Sequence, residues 1–234
     1  MMSWYYYIIL IILLFLSPNI IRFVLYRKSS YYQITKKPFR KLSKGEVGEY
    51  LIWKELKKFE GKGGRFLFNL YVPKPNDETT EIDVVLIHPK GFFVIESKNY
   101  NGWIFGSEKN QYWTQTLPMG RGYRSNKEQF YNPLRQNGSH IKHLKRVLND
   151  GLPMWSLIVF SDECTFKDVT VSDDKRYKVI HLGQLKSTVN KLITETEDDL
   201  FSVSDIEWMY DELLPFTDVN EMVKTQHIEK SVTQ

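Results

Sequence analysis

The stretch Thr80–Tyr100 constrains the fold more than any other part of the chain. Two runs rich in β-branched and aromatic residues, Ile82–Ile87 and Phe92–Ile95, flank the segment His88–Gly91. In that segment, proline and glycine occupy positions that a type I turn accepts. The pattern therefore predicts a β-hairpin, and a turn centred in this segment gives facing residues whose numbers sum to 179.

Three charged residues interrupt the apolar strands of this hairpin: Asp83, Glu96 and Lys98. A charge buried alone would cost several kcal/mol, so the three are expected to share one site. In the predicted register Asp83 faces Glu96, and Lys98 lies on the same face because alternate strand residues share a face. The two carboxylates repel each other more than one lysine can offset, so the cluster predicts a divalent-cation site. A buried ion cluster without chemistry is the alternative.

The N-terminal residues differ in character from the rest of the chain. Ile8–Leu16 is an unbroken apolar run, and no charged residue occurs before Arg22. Residues 4–26 are long enough for a transmembrane helix, and they lack the basic start and the small-residue cleavage site of a signal peptide. Between Arg22 and Lys44 there are eight Lys or Arg residues and no acid. The positive-inside rule therefore predicts a single-pass anchor in the lipid bilayer and a cytoplasmic C-terminal domain.

Composition and motifs exclude several classes of protein. The single cysteine, Cys164, can form no intramolecular disulfide and lacks the paired spacing of a zinc site. The sequence contains no glycine-rich phosphate loop, no G-x-S-x-G elbow and no H-E-x-x-H motif. P-loop nucleotide hydrolysis, serine-hydrolase chemistry and this type of zinc protease are thus not indicated.

A helix is predicted over residues 44–59. Ser43 and Glu46 have the spacing of a capping box, which accounts for Glu46 without any chemistry. Glu49 instead shares a face with three apolar residues at helical spacing, Ile52, Trp53 and Leu56. Glu49 either joins the charge cluster of the hairpin or is simply favoured near the helix start by the helix dipole. We favour the first interpretation because the hairpin already predicts a site.

Asp83 followed by Glu96-Ser97-Lys98 on the adjoining strand resembles the PD-(D/E)xK nuclease signature, with Glu81-Ile82 where proline would precede Asp83. Residues 41–160 as a whole resemble the nuclease-related domain (NERD) family. That likeness rests on the segments GEVGEYLIWKEL, EIDVVLI, GFFVIESKNYNGWIFG and NPLRQNGSHIKHL.

The resemblance implies an α/β protein with a restriction-endonuclease-like fold and metal-dependent processing of DNA. Such a core has three layers, with elements in the order α-β-β-β-α-β and a mixed central sheet flanked by helices. Matched residue by residue, the resemblance points to Glu49, Asp83, Glu96, Lys98 and Gln136.

On this interpretation the metal is Mg²⁺ or Mn²⁺, held by Asp83, Glu96 and the backbone carbonyl of Ser97. Lys98 would position the attacking water and stabilise charge in the transition state. Glu49 would reach the metal through water. Gln136 would orient water or the phosphate backbone.

Three further segments give structural predictions. The aromatic residues in 100–115 predict a short hairpin at one sheet edge and are more typical of a core than of a base-stacking surface. Residues 117–127 predict a basic loop, which is either solvated or able to contact a phosphate backbone. Asn132-Pro133 predicts the N-cap and first residue of a second long helix, on which we expect His140 and His143 to lie at the surface.

A buried strand predicted at Trp155–Ser161 follows that helix and would enter the same sheet in parallel. The chain is then expected to divide into five segments. These are a transmembrane anchor with a basic flank (1–28), a basic linker (29–42), a nuclease-related domain (43–165), a C-terminal α/β extension (166–215) and a flexible tail (216–234).

The sequence thus predicts a membrane-anchored, metal-dependent nuclease that hydrolyses phosphodiester bonds of nucleic acid, with DNA as the expected substrate, on the cytoplasmic side. Two alternatives stay open. One is a non-catalytic nucleic-acid-binding module tethered to the membrane. The other is a structural membrane protein whose ion cluster only fixes the fold.

Overall fold

The computed structural model describes residues 4–75, 78–118, 125–148, 151–174 and 176–218 of the 234-residue chain. The chain forms two compact units, of which the first ends at Leu42 and the second begins at Ser43. Residues 119–124 of the predicted basic loop and the predicted tail from residue 219 lie outside the described residues.

The first unit is helical. It contains α1 (Trp4–Arg27), α2 (Ser30–Thr35) and a 3-10 turn (Phe39–Lys41). The Tyr26 hydroxyl donates a hydrogen bond to the Lys37 carbonyl at 2.6 Å, which ties the end of α1 to the chain beyond α2. Among the helices of the described residues, none combines the length and apolar character needed to cross a membrane. The structure thus gives no support to the transmembrane helix predicted for residues 4–26.

The second unit combines helices with β-strands. Its helices are α3 (Lys44–Leu56), α4 (Pro133–Leu148), α5 (Leu182–Glu195) and α6 (Val203–Leu213), with 3-10 segments at Lys57–Lys62 and Leu214–Thr217. Its strands are β1 (Arg65–Pro73), β2 (Thr79–His88), β3 (Gly91–Lys98), β4 (Gly102–Ser107), β5 (Tyr112–Leu117), β6 (Asn126–Tyr131), β7 (Met154–Phe160), β8 (Cys164–Thr170) and β9 (Tyr177–His181).

Both sheets formed by these strands are mixed. The first has the order β1-β2-β3-β7-β9, antiparallel from β1 to β3 and parallel from β3 to β9. The second has the order β6-β5-β4-β8, in which only the β4–β8 pair is parallel. The fold is therefore mixed α/β, and the parallel strand predicted after α4 is confirmed as β7.

The β2–β3 hairpin has the register that the sequence predicts. Facing residues run from His88 and Gly91 to Val84 and Ile95, and the numbers of each pair sum to 179. Gly91 has a φ of 141°, and a Cβ there would lie 2.6 Å from the Trp155 ring. Both the backbone conformation and the close approach of Trp155 therefore favour glycine after the turn.

Helices cover both faces of the first sheet. On one face α3 comes so close to β3 that a Cβ on Gly48 would lie 2.5 Å from the Ser97 hydroxyl oxygen. On the other face Gln136 of α4 accepts a hydrogen bond from Lys98. Ser97 and Lys98 are consecutive strand residues and point to opposite sides, so α3 and α4 flank opposite faces.

The second sheet is larger than the hairpin predicted from residues 100–115. β4 and β5 form that hairpin, but β6 pairs beside β5 and β8 pairs beside β4. The sequence of β6, NKEQFY, lacks the apolar alternation of a half-buried strand, and most of its residues are exposed. Its strand conformation comes from pairing with β5, which local sequence does not reveal.

Gly48→Ala is expected to destabilise the protein, although alanine favours a helix interior by about 1 kcal/mol over glycine. The reason is that the new Cβ would lie 2.5 Å from Ser97 Oγ and 3.0 Å from Asn99 Cβ. Gly138→Ala in α4 is the matched control, because a Cβ there meets nothing within 4 Å, and we expect it to stabilise. Urea unfolding of the full-length chain measures both effects. Equal stabilisation by the two changes would contradict the close packing of α3 on β3.

Candidate active site

The candidate site lies where β2 and β3 stop pairing. Val84 and Ile95 are the last facing residues of this ladder. At the next position of β2, a side chain makes the contact between the strands: Asp83 Oδ2 accepts a hydrogen bond from the Ser97 N–H at 2.7 Å. Asp83 is thus held by the backbone of the strand that carries the other two charges of the predicted cluster.

Lys98 links β3 to α4. Its Nζ donates hydrogen bonds to Glu96 Oε1 at 2.6 Å and to Gln136 Oε1 at 3.1 Å. The side chains of Lys98 and Glu96 are only 12% and 2% exposed, so this ion pair is largely removed from water. Gln136 lies in the first turn of α4, which Asn132 caps by accepting a hydrogen bond from the Leu134 N–H at 3.0 Å. The predicted cap is therefore confirmed.

His140 completes the hydrogen bonding of Glu96. Its Nε2 lies 3.2 Å from Glu96 Oε2, and its Nδ1 lies 2.7 Å from the Thr80 hydroxyl oxygen. A carboxylate can only accept, so Nε2 is the donor, and in a neutral imidazole Nδ1 then accepts from Thr80. The predicted surface positions of His140 and His143 are wrong, because both side chains are buried. With Gln136, which bonds to Lys98, they lie on one side of α4, and this side packs inside the domain.

Burial and neighbouring charges shift the pKa values of Glu96 and Lys98 in opposite directions. Burial alone would raise the pKa of Glu96, but the charge of Lys98 and the hydrogen bond from His140 lower that pKa to about 2. Burial would likewise lower the pKa of Lys98, but the Glu96 carboxylate outweighs it and raises that pKa above its ordinary value. Both groups are therefore charged at neutral pH.

The pKa of Asp83 is raised, unlike that of Glu96. Burial raises the pKa of Asp83 well above its ordinary value, and repulsion from Glu96 and Glu49 raises it further. The charge of Lys98 and the hydrogen bond from the Ser97 N–H lower the pKa only in part. Since Glu49 is 6% exposed and repels Asp83, α3 brings this carboxylate within electrostatic range of the cluster. Asp83 thus lies within electrostatic range of two other carboxylates and of the Lys98 ammonium group.

Ser97 has its side chain on the opposite face, against Gly48, while its N–H is bonded to Asp83. The role of its carbonyl as a metal ligand stays a prediction. The other predicted residues, Glu49, Asp83, Glu96, Lys98 and Gln136, come together around the end of β3.

Residues 44–161 match the family described as nuclease-related domain (NERD). The chain belongs to the NERD family. It is also 32% identical over 185 residues to an uncharacterized protein of Bacillus anthracis, an alignment that covers 79% of this chain and 82% of that protein. No solved structure matches the chain.

Two further residues of this NERD domain, Asn137 and Tyr100, lie next to the site and were not predicted from the sequence. Asn137 is fully buried, and its amide donates hydrogen bonds to the Val94 carbonyl at 2.9 Å and to Ser156 Oγ at 2.8 Å. It thereby fixes α4 across β3 and β7. Tyr100 lies close enough to Lys98 for their charges to interact, and burial raises the pKa of the Tyr100 hydroxyl. The spacing of Gln136 and His140 at i and i+4 was the available signal for a polar face on α4.

The acidic residues at the end of β3 are the candidate ligands for a divalent cation in the NERD domain. Among the described residues, no group of three or more His, Cys, Asp and Glu side chains is arranged to hold a metal ion. Carboxylate oxygens are nevertheless the ligands that Mg²⁺ prefers, and each has two lone pairs. Glu96 can therefore keep its bonds to Lys98 and His140 while binding a cation, and Asp83 can keep its bond from Ser97. Asp83 and Glu96 thus have the charge and the remaining acceptor capacity that a divalent cation needs, but a third side-chain ligand would have to come from outside these two residues.

Asp83→Asn is expected to stabilise the metal-free protein at pH 7. A folded-state pKa above the unfolded value means that ionised Asp83 costs stability as the pH rises above the unfolded value, about 3.9. Asparagine removes that charge and can still accept the Ser97 N–H. The expected rise in Tm is a few degrees, since roughly 1 kcal/mol corresponds to about 2–4 °C in a chain of this size.

Thermal melting in EDTA at pH 7 and near pH 4 measures this effect, which should shrink at the lower pH. Asp211→Asn, at an exposed position on α6, is the matched control and should leave Tm unchanged. A lower Tm for Asp83→Asn than for wild type at pH 7 would refute the excess of negative charge at the site.

Proposed function

We propose that this chain is a metal-dependent nuclease that hydrolyses phosphodiester bonds of DNA. The observation that carries the proposal is the convergence of Asp83, Glu96 and Lys98 at one end of β3, where burial and neighbouring carboxylates oppose the charge of Asp83. Membership of the NERD family supports a nuclease-related function. The substrate, the metal and the chemistry are what the proposal adds.

The order of elements agrees with a restriction-endonuclease-like core. α3 is followed by β1, β2 and β3, and then, after β4–β6, by α4 and β7. This is the sequence α-β-β-β-α-β with an insertion of three strands. The helices on both faces of the first sheet supply the outer two layers of such a core.

Asp83 and Glu96 would hold Mg²⁺ or Mn²⁺, with the Ser97 carbonyl as a further ligand and Glu49 acting through water. When bound, such an ion polarises the phosphate and favours ionisation of the attacking water. The protein fixes the two carboxylates beforehand. The Ser97 N–H orients Asp83, while Lys98 and His140 orient Glu96 from its two oxygens.

Lys98 acts through its positive charge. Its raised pKa keeps the amine protonated at neutral pH, so it can donate hydrogen bonds and cannot serve as a general base. A fixed ammonium group beside a phosphate stabilises the charge that develops in the transition state. Gln136 accepts from Lys98 through Oε1, which leaves its amino group to donate to a water or a phosphate oxygen.

A second interpretation rests on the completeness of the Glu96 hydrogen bonding. Lys98 and His140 already satisfy both oxygens, as expected of an ion cluster that only stabilises the fold. A non-catalytic DNA-binding domain would fit the same residues. Both alternatives predict no turnover by the wild-type protein.

Cleavage of labelled DNA and RNA by the full-length protein tests the proposal, with Mg²⁺, Mn²⁺ or EDTA. Lys98→Ala and Glu96→Gln are expected to lower the cleavage rate at least about 100-fold, because the first removes the charge that stabilises the transition state and the second weakens a metal ligand. Lys90→Ala is the matched control. Lys90 is a largely buried lysine in the turn just before β3, with its Nζ 3.2 Å from Asp199 Oδ1, and its loss should leave cleavage unchanged. Cleavage that persists in EDTA or in Lys98→Ala would defeat the proposal.

The proposal also places the nuclease at the cytoplasmic face of a membrane. Its support is the sequence alone, namely the apolar residues 4–26 and the basic residues that follow. Fractionation of cells that produce the full-length chain should recover it with membranes, and deletion of residues 4–26 should release it. Recovery of the full-length protein in the soluble fraction would contradict this part of the proposal.

A further inference from the structure

The outer face of the second sheet carries an aromatic surface. Because directly paired residues point to the same side, the sheet register places Trp103, Phe105, Tyr112 and Tyr131 together on one face. Trp103, Tyr112 and Tyr131 are 37%, 37% and 43% exposed. The rings of Tyr112 and Tyr131 meet edge to face at 6.1 Å. We call these four residues the aromatic face.

This surface is not the core side of the sheet. The alternate residues Ile104 and Trp113 point the other way and are fully buried with Phe160 of the first sheet. The Trp113 and Phe160 rings stack with centroids 6.1 Å apart. The second sheet therefore satisfies its packing with one set of aromatic residues and presents the other set to solvent, where large apolar side chains often mark a binding site.

Basic side chains accompany the aromatic face. Lys167 Nζ lies 5.2 Å from the centre of the Trp103 ring. Lys127 is exposed and lies on the same face, in the row that pairs Lys127 with Thr116 and Thr116 with Trp103; Thr116 itself is only 3% exposed. Asp168, paired with Phe105, is an acid at the edge of this surface. Half-exposed rings beside lysines are the combination with which proteins stack bases and attract the phosphate backbone.

The aromatic face begins close to the candidate active site along the chain. Trp103 follows Lys98 by five residues (103 − 98). Five residues span at most about 18 Å even when fully extended. The Trp103 end of the aromatic face therefore lies within about 18 Å of Lys98.

We propose that the aromatic face binds single-stranded DNA. Unpaired bases expose the flat surfaces that Trp103, Tyr112 and Tyr131 can stack against, whereas the bases of a duplex are already stacked on each other. Lys127 and Lys167 contact the backbone beside the stacked bases. The assignment of DNA rests on the proposed nuclease function and names its substrate class as single-stranded, but the binding itself requires neither metal nor turnover.

Fluorescence anisotropy tests the proposal with the full-length protein, a labelled oligothymidylate of about 15 nucleotides and EDTA, so that no metal-dependent cleavage occurs. Trp103→Ala and Tyr131→Ala are each expected to raise Kd about tenfold, the loss of one base stack. Trp103→Phe keeps a stacking ring and should retain most of the affinity. Trp208→Ala is the matched control, because Trp208 is 57% exposed but lies on α6. It should leave Kd unchanged.

Two results would overturn the proposal. One is an unchanged Kd in both Trp103→Ala and Tyr131→Ala. The other is equal or tighter binding of a duplex, or of an RNA oligonucleotide, of the same length. Failure of the nuclease proposal is distinguishable, because it would remove cleavage in Mg²⁺ while leaving this binding and its dependence on Trp103 intact.

Discussion

The buried ion pair between Lys98 and Glu96 imposes the strongest constraint on this structure. Removing either charge from water costs several kcal/mol, and the pair repays that cost only if the remaining hydrogen-bonding positions are also filled. Gln136 and His140 fill them, and both belong to α4. The position of α4 over the first sheet is therefore set by polar contacts as well as by its apolar residues.

The same helix connects the two sheets. Asn137, one residue beyond Gln136, bonds to β3 and β7, which holds the helix against the parallel half of the first sheet. Asn132, at the helix start, donates to backbone carbonyls of the β4–β5 turn, including that of Asn110 at 2.6 Å. Through α4, the turn of the second sheet is tied to the ion pair at the end of β3. The strands β4, β5 and β6, which carry the aromatic face, are thus packed as part of the nuclease-related domain.

Local sequence determines some of these features and not others. Two runs of β-branched and aromatic residues, with Pro89 and Gly91 between them, indicate the hairpin and its register, and a continuous apolar run indicates β7, because these signals lie within the segments themselves. The burial of His140 could not be predicted in this way, since a polar stripe on a helix looks the same whether it faces water or a buried carboxylate. β6 and β8 were not predicted either, because their mostly exposed residues carry little pattern. The partner of β8, which is β4, is also distant in sequence.

The charge balance of the site argues against a purely structural cluster. Lys98, Gln136 and His140 fully explain why Glu96 is tolerated in the interior. They do not explain Asp83, whose pKa is raised because burial and the neighbouring Glu96 and Glu49 all oppose its charge. A fold that needed only stability would gain by replacing Asp83 with a neutral acceptor for the Ser97 N–H. An acid held where its charge is unfavourable is more typical of a functional site than of a purely structural cluster, so the environment of Asp83, more than the ion pair, supports the proposed chemistry at the end of β3.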